Sequence, residues 1–149
     1  ILTIISLVFI LSSKIPSEKY FTMNWQEYCK APANLCSYGA LEFISENKLS
    51  NNLSTPYSWG GWMIWNFPNI KPSIDGRMHL WKDKNGYSAF AEYYPNVQDW
   101  KNIDKSSYNT VLALKSKPIY KRLLKLNREK KWRIVYGDEV SAIFVRNKM

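Results

Sequence analysis

Toward its carboxyl end the chain sets out four elements in close succession. Asn109-Thr110-Val111-Leu112-Ala113-Leu114 gathers contiguous apolar residues between polar runs, the pattern of a strand buried on both faces. Pro118, well suited to a first helical turn, opens a helix predicted to run to about Lys130. Trp132–Tyr136 and Ser141–Arg146 then read as two strands joined by Gly137-Asp138-Glu139 in hairpin fashion. A buried strand, a helix and a hairpin require a sheet with a helix laid against it, so all-helical and fibrous folds are excluded.

Upstream the same alternation continues. Ser37 precedes Tyr38–Ile44, whose apolar spacing fits a short helix capped by serine. Leu53-Ser54-Thr55-Pro56 is a strand candidate, and Ser58 to Phe67 fits a buried helix with the glycine pair near its start and Pro68 just past its end. Ile70–Ile74 is expected to be a strand ending in a turn at Asp75-Gly76-Arg77, Tyr87–Val97 a helix, and Asp99–Ile103 a short helical turn. This alternation predicts an α/β fold. It would be a small three-layer domain with a mostly parallel sheet, right-handed crossovers and a C-terminal antiparallel hairpin.

The chain opens with eleven uncharged residues, Ile1–Leu11. As a helix they would rise only about 16 Å, against a hydrocarbon core of roughly 30 Å. Three readings are open: the end of a transmembrane helix, a signal-peptide remnant and a buried strand. The first is preferred, because Ser12-Ser13-Lys14 makes a poor cleavage site and the composition is that of a span. The expected organisation is therefore the end of a transmembrane helix over 1–13, a polar juxtamembrane linker over 14–35, and a folded domain over 36–149.

A length of 149 residues with 46% apolar and 22% charged side chains fits one globular domain and excludes a disordered chain. The net charge of +9 is regional: residues 101–149 hold thirteen Lys/Arg against four Asp/Glu, while residues 1–100 balance. On the Pro118 helix, Ile119, Tyr120, Leu123, Leu124 and Leu126 share one side, and Lys121, Arg122, Lys125 and Arg128 share the other. The basic side reads either as a solvated face or as a contact for anionic lipid or a phosphate-bearing ligand. Nucleic acid is not the expected partner, since no binding-fold signature accompanies the charge.

Four further features carry candidate chemistry. In Asp75-Gly76-Arg77, Arg77 could meet an anion or sugar with Asp75 orienting it; the structural alternative, an ion pair closing a turn around Gly76, is preferred. Trp59, Gly60, Gly61, Trp62 and Trp65 could form a sugar-stacking platform or let a helix approach its sheet closely. The three-residue spacing of Trp62 and Trp65 favours core, which leaves Trp59 as the platform candidate. Cys29 and Cys36 are either a local disulfide or two separate small hydrophobes. His79, the only histidine, has no nucleophile or metal-ligand partners near it in sequence, and no phosphate-binding glycine motif occurs. No metal, cofactor or complete catalytic set is expected.

Tyr57-Ser58-Trp59-Gly60-Gly61-Trp62-Met63-Ile64-Trp65, then Pro68, then Ile74-Asp75-Gly76-Arg77-Met78, resembles the C-terminal extracytoplasmic domain of polytopic bacterial membrane proteins related to the glycosyltransferase C superfamily, of the dolichyl/polyprenyl-phosphate-mannose mannosyltransferase type. The resemblance continues through Ser37–Asn47, Val111–Leu114, Trp132–Tyr136 and Ala142–Arg146, and so covers about residues 36–149. This chain departs from the pattern at Trp62, where Tyr is common, and at Ser73, where an aromatic is common. The resemblance implies a membrane protein whose transmembrane part transfers a sugar from a polyprenyl-phosphate donor, using an acidic residue of an early extracytoplasmic loop. This chain would then be an accessory domain outside the cell membrane, meeting its own transmembrane domain, anionic lipid or polyprenyl phosphate, with no catalytic residue to carry over. The alternative is a membrane-tethered, non-catalytic glycan-binding or interaction module. Positive-inside statistics do not oppose an extracytoplasmic placement, because folded domains of this size translocate largely regardless of charge.

Overall fold

The computed structural model describes residues 22–30, 36–78, 80–94 and 101–147. The chain divides into two units, Ile1–Asn34 and Leu35–Met149. The apolar run at residues 1–11 lies outside the described residues. Among those described, no helix is long and apolar enough to cross a membrane.

Within the first unit, part of the expected linker is helical. Helix α1, Trp25–Lys30, begins with a reciprocal cap: the Glu27 N–H donates to Asn24 Oδ1 (3.0 Å) and the Asn24 N–H donates to Glu27 Oε2 (3.1 Å). Each side chain satisfies a backbone donor that the first helical turn leaves open, which is enough to start a helix in an otherwise polar stretch.

The second unit follows the order α2 (Tyr38–Glu46), β1 (Leu53–Ser54), a 3-10 turn (Tyr57–Trp59), α3 (Gly60–Asn66), α4 (Ala89–Tyr93), a 3-10 turn (Ile103–Lys105), β2 (Thr110–Leu114), α5 (Pro118–Arg128), β3 (Trp132–Gly137) and β4 (Ser141–Arg146). Ser37 caps α2 by accepting from the Ala40 N–H at 3.0 Å. Pro118 stands at the first position of α5.

The sheet order is β1-β2-β4-β3. β1 pairs with β2 in parallel, while β2–β4 and β4–β3 are antiparallel. The fold is mixed α/β with the expected hairpin, but the sheet is not mostly parallel. The hairpin does not add to the edge of a parallel set; its second strand inserts beside β2, with Val111 opposite Phe144 and Ala113 opposite Ala142. A second departure lies at Ile70–Ile74, which forms no strand. Pro72 removes a ladder donor there, and the Thr55 N–H turns instead to the Ser73 hydroxyl at 3.1 Å. Ile70 and Ile74 are nevertheless fully buried, so the apolar signal was sound and only the backbone pairing differs.

All five residues of β2 are buried. Val111, Ala113, Phe144, Ala142 and Trp132 pack with Ile119, Leu123 and Leu126 of α5. α2, with Ala40, Leu41 and Ile44 buried, packs against β3 and β4, and the Phe43 ring lies 5.3 Å from that of Tyr136.

Candidate functional site

The two sequence motifs singled out above meet in space. The 3-10 turn runs straight into α3, and Gly60 sits at the junction against the backbone of Ile74 and Asp75. A Cβ built on Gly60 would lie 2.3 Å from the Ile74 carbonyl oxygen and 2.7 Å from Asp75 Cα. Only a residue without a side chain allows that approach. Across the same junction the Tyr57 hydroxyl donates to the Gly76 carbonyl at 3.4 Å.

Asp75 is 2% exposed. Its Oδ1 accepts from the backbone N–H and the Nε of Arg77 (both 2.9 Å), and its Oδ2 accepts from Arg77 Nη2 at 2.7 Å. The side chain of Arg77 remains 78% exposed. Hydrogen bonding from Arg77 holds the Asp75 carboxyl below its ordinary value against the opposing effect of burial, and Asp75 in turn raises Arg77. The result is a guanidinium oriented by a buried carboxylate, with Nη1 unused by that carboxylate. Such a planar fork suits a phosphate or another carboxylate. The turn-closing ion pair and the presented arginine are therefore the same object. The segment before Asp75 is not a strand, so this is not the strand terminus that the sequence suggested.

The tryptophans exchange their expected roles. Trp59 is buried at 3%, its ring 5.9 Å from that of Trp62, which in turn stands 6.3 Å from Phe67. Trp65 is 81% exposed. Trp59 therefore offers no open face for a sugar, and Trp65 is not core. The reason is geometric: α3 is only seven residues long, and Gly60 and Met63 take its buried side. Gly61 has nothing within 4 Å of a built Cβ, so close packing uses one glycine of the pair.

On α5, Lys121, Lys125 and Arg128 are exposed as expected. Arg122 is not part of the open face: its Nη2 donates to Asp104 Oδ2 at 3.2 Å, with both side chains about one-fifth exposed. Cys29 and Cys36 are both disulfide-bonded. His79 lies outside the described residues. Among the described residues, no three His, Cys, Asp or Glu side chains are grouped to hold a metal.

Two polar centres escaped the sequence reading. Asp138, in the hairpin turn, accepts from the Ser37 hydroxyl, the Tyr136 hydroxyl (3.2 Å) and the Val140 and Ser141 N–H groups (2.9 and 2.7 Å), tying the turn to the cap of α2. Burial raises its carboxyl, but these donors outweigh it and the net shift is downward. Arg146 places its guanidinium 4.5 Å from the centre of the Trp132 ring. It donates to the carbonyls of Tyr108 (3.0 Å), Asp104 (2.8 Å) and Ser106 (2.9 Å). Asp138 had a local signal, since a Gly-Asp turn favours an aspartate that bonds its own backbone. Arg146 had none, because its partners lie about forty residues away in sequence.

Fold and site together define a mixed α/β domain that presents one aspartate-anchored arginine. Comparison with family models, curated proteins and solved structures finds no match for the chain.

Proposed function

We propose that this chain is the C-terminal part of a membrane glycosyltransferase-like protein. Its folded domain serves as an accessory to sugar transfer from a polyprenyl-phosphate donor on the extracytoplasmic side of the cell membrane. The residue that meets the donor's phosphate is Arg77. The observation that carries this reading is the closure of Gly60 onto Ile74–Asp75, which joins the two halves of the motif and leaves Arg77 fixed by Asp75 yet outward-facing. In finer detail the domain is a three-layer body, with α2 and α5 on opposite faces of the sheet.

The test is flotation of the whole chain on neutral vesicles with and without polyprenyl phosphate. Arg77→Gln should weaken phosphate-dependent binding by about tenfold, the scale of one lost charge-assisted pair, and Arg77→Lys should restore only part of it. A Lys121→Gln/Lys125→Gln protein should lose less. Equal binding by wild type and Arg77→Gln would overturn the reading. A second reading, a tethered glycan-binding module, is favoured by the exposed ring of Trp65. Glycan titration followed by tryptophan fluorescence, comparing wild type with Trp65→Ala, would then show a difference that the first reading does not require.

A further inference from the structure

A cavity of about 440 Å³ opens at the carboxyl ends of the two parallel strands, away from the Asp75–Arg77 pair in sequence and sharing Tyr57 with its surroundings. Leu112 and Leu114 of β2 supply apolar lining, and the rings of Tyr57 and Tyr93, 6.2 Å apart, supply aromatic lining. Its polar lining comes from Ser58, just after β1, and Lys117, just before α5. The size falls in the ordinary range of small-molecule sites, as does the mixture of an apolar interior with a few polar groups. Open α/β sheets place ligands beyond the carboxyl ends of parallel strands, and β1–β2 is the parallel pair of the described sheet.

The lining also indicates the sign of the ligand. No acidic side chain lines the cavity among the described residues, and Lys117 is the one formal charge. Lys117, Pro118 and Ile119 are the cap and first two positions of α5, an eleven-residue helix without a side-chain cap. A helix start leaves its first N–H groups without intrahelical acceptors and carries partial positive charge. Here Tyr120 turns back to the Lys117 carbonyl at 3.1 Å and Pro118 has no N–H, so the donor left to the cavity is that of Ile119. An apolar, aromatic-sided cavity with one cation and one helix-start donor at its polar side suits an anion carried on a compact apolar or ring-shaped body.

We infer that this cavity is a binding site for a small phosphate monoester, its body against the packed rings of Tyr57 and Tyr93 and over Leu112 and Leu114, its phosphate at Lys117 and the Ile119 N–H. The inference does not rest on the reading of Arg77. The probe is phenyl phosphate, with phenol and inorganic phosphate as its separate halves, titrated into the ¹⁵N-labelled whole chain. Phenyl phosphate should shift the amides of Ile119 and Ser58 and bind at least about tenfold more tightly than either half. Lys117→Glu should weaken it by about tenfold or more, while Arg128→Glu, the same charge change at the far end of α5, should alter it less than about threefold. Phosphatidic acid vesicles separate a soluble ester from a lipid headgroup: vesicle binding should be equally insensitive to Lys117→Glu and Arg128→Glu. Shifts spread over the basic face, equal losses in the two variants, or a Lys117-dependent response to vesicles alone would each overturn the site.

Discussion

The two adjacent glycines of α3 should respond to the same substitution with opposite signs. In Gly60→Ala the new methyl would lie 2.3 Å from the Ile74 carbonyl oxygen and 2.6 Å from Asp75 Cβ. Ordinary contact is about 3.5 Å, so the overlap is roughly 1 Å. The obstructing atoms include backbone, which no rotamer change can remove. Overpacking of this kind costs about 3 kcal/mol, the upper end of its usual range. The backbone at Gly60 is already helical, at φ −55° and ψ −43°, so alanine recovers up to about 1 kcal/mol of helix propensity. The net expectation is a loss of about 2 kcal/mol, or about 8 °C in Tm for a domain of this size. In Gly61→Ala the methyl meets nothing within 4 Å, and only the propensity gain remains, about 0.5–1 kcal/mol in the stabilising direction. Urea and thermal unfolding of both variants beside wild type measure the difference. If Gly60→Ala melts with the wild type, the close approach of α3 to Ile74–Asp75 is wrong. If both variants fall together, the contrast drawn between the two positions is wrong.

Asp138→Asn should flatten the acid limb of the stability–pH curve. The folded-state carboxyl is held below its unfolded value, so its stabilisation is present above the usual carboxylate range and disappears as pH falls through the folded value; denaturant midpoints taken across acidic pH should show a shallower slope than wild type. Arg146→Lys should cost about 2–3 kcal/mol, because a single ammonium cannot reach the Tyr108, Asp104 and Ser106 carbonyls together or stack as a plane on Trp132; urea unfolding would show it, and an unchanged midpoint would refute the clamp. Leu123→Ala should cost about 2–4 kcal/mol as a fully buried leucine, whereas Trp65→Ser should change stability by less than about 0.5 kcal/mol; equal losses would place Trp65 in the core after all.

Local chemistry made much of the framework legible. The serine cap at Ser37, the proline at the start of α5, the contiguous apolar run of β2 and the hairpin of β3 and β4 are decided by residues close in sequence, and each stands where the residues indicate. The burial of Ile70 and Ile74 was equally legible, but their failure to form a strand was not. A backbone pairing needs a partner edge, and Pro72 with the Ser73 hydroxyl directs Thr55 elsewhere.

The amino-acid sequence alone determined which segments carry apolar faces, where the positive charge lies, and that glycine stands at position 60. Tertiary structure decided what those assets meet. β4 took the place beside β2, which made the sheet mixed instead of mostly parallel. Trp59 was buried and Trp65 exposed although Trp65 has the more apolar neighbours in sequence, because the short α3 has one buried side and Gly60 and Met63 take it. Asp75 and Arg77 are neighbours in sequence, yet Asp75 is buried where Gly60 of α3 packs against it while the Arg77 side chain stays exposed. Period and composition are properties of neighbouring residues; burial, pairing and the orientation of a charge depend on contacts between distant ones, and those exist only once the chain has closed.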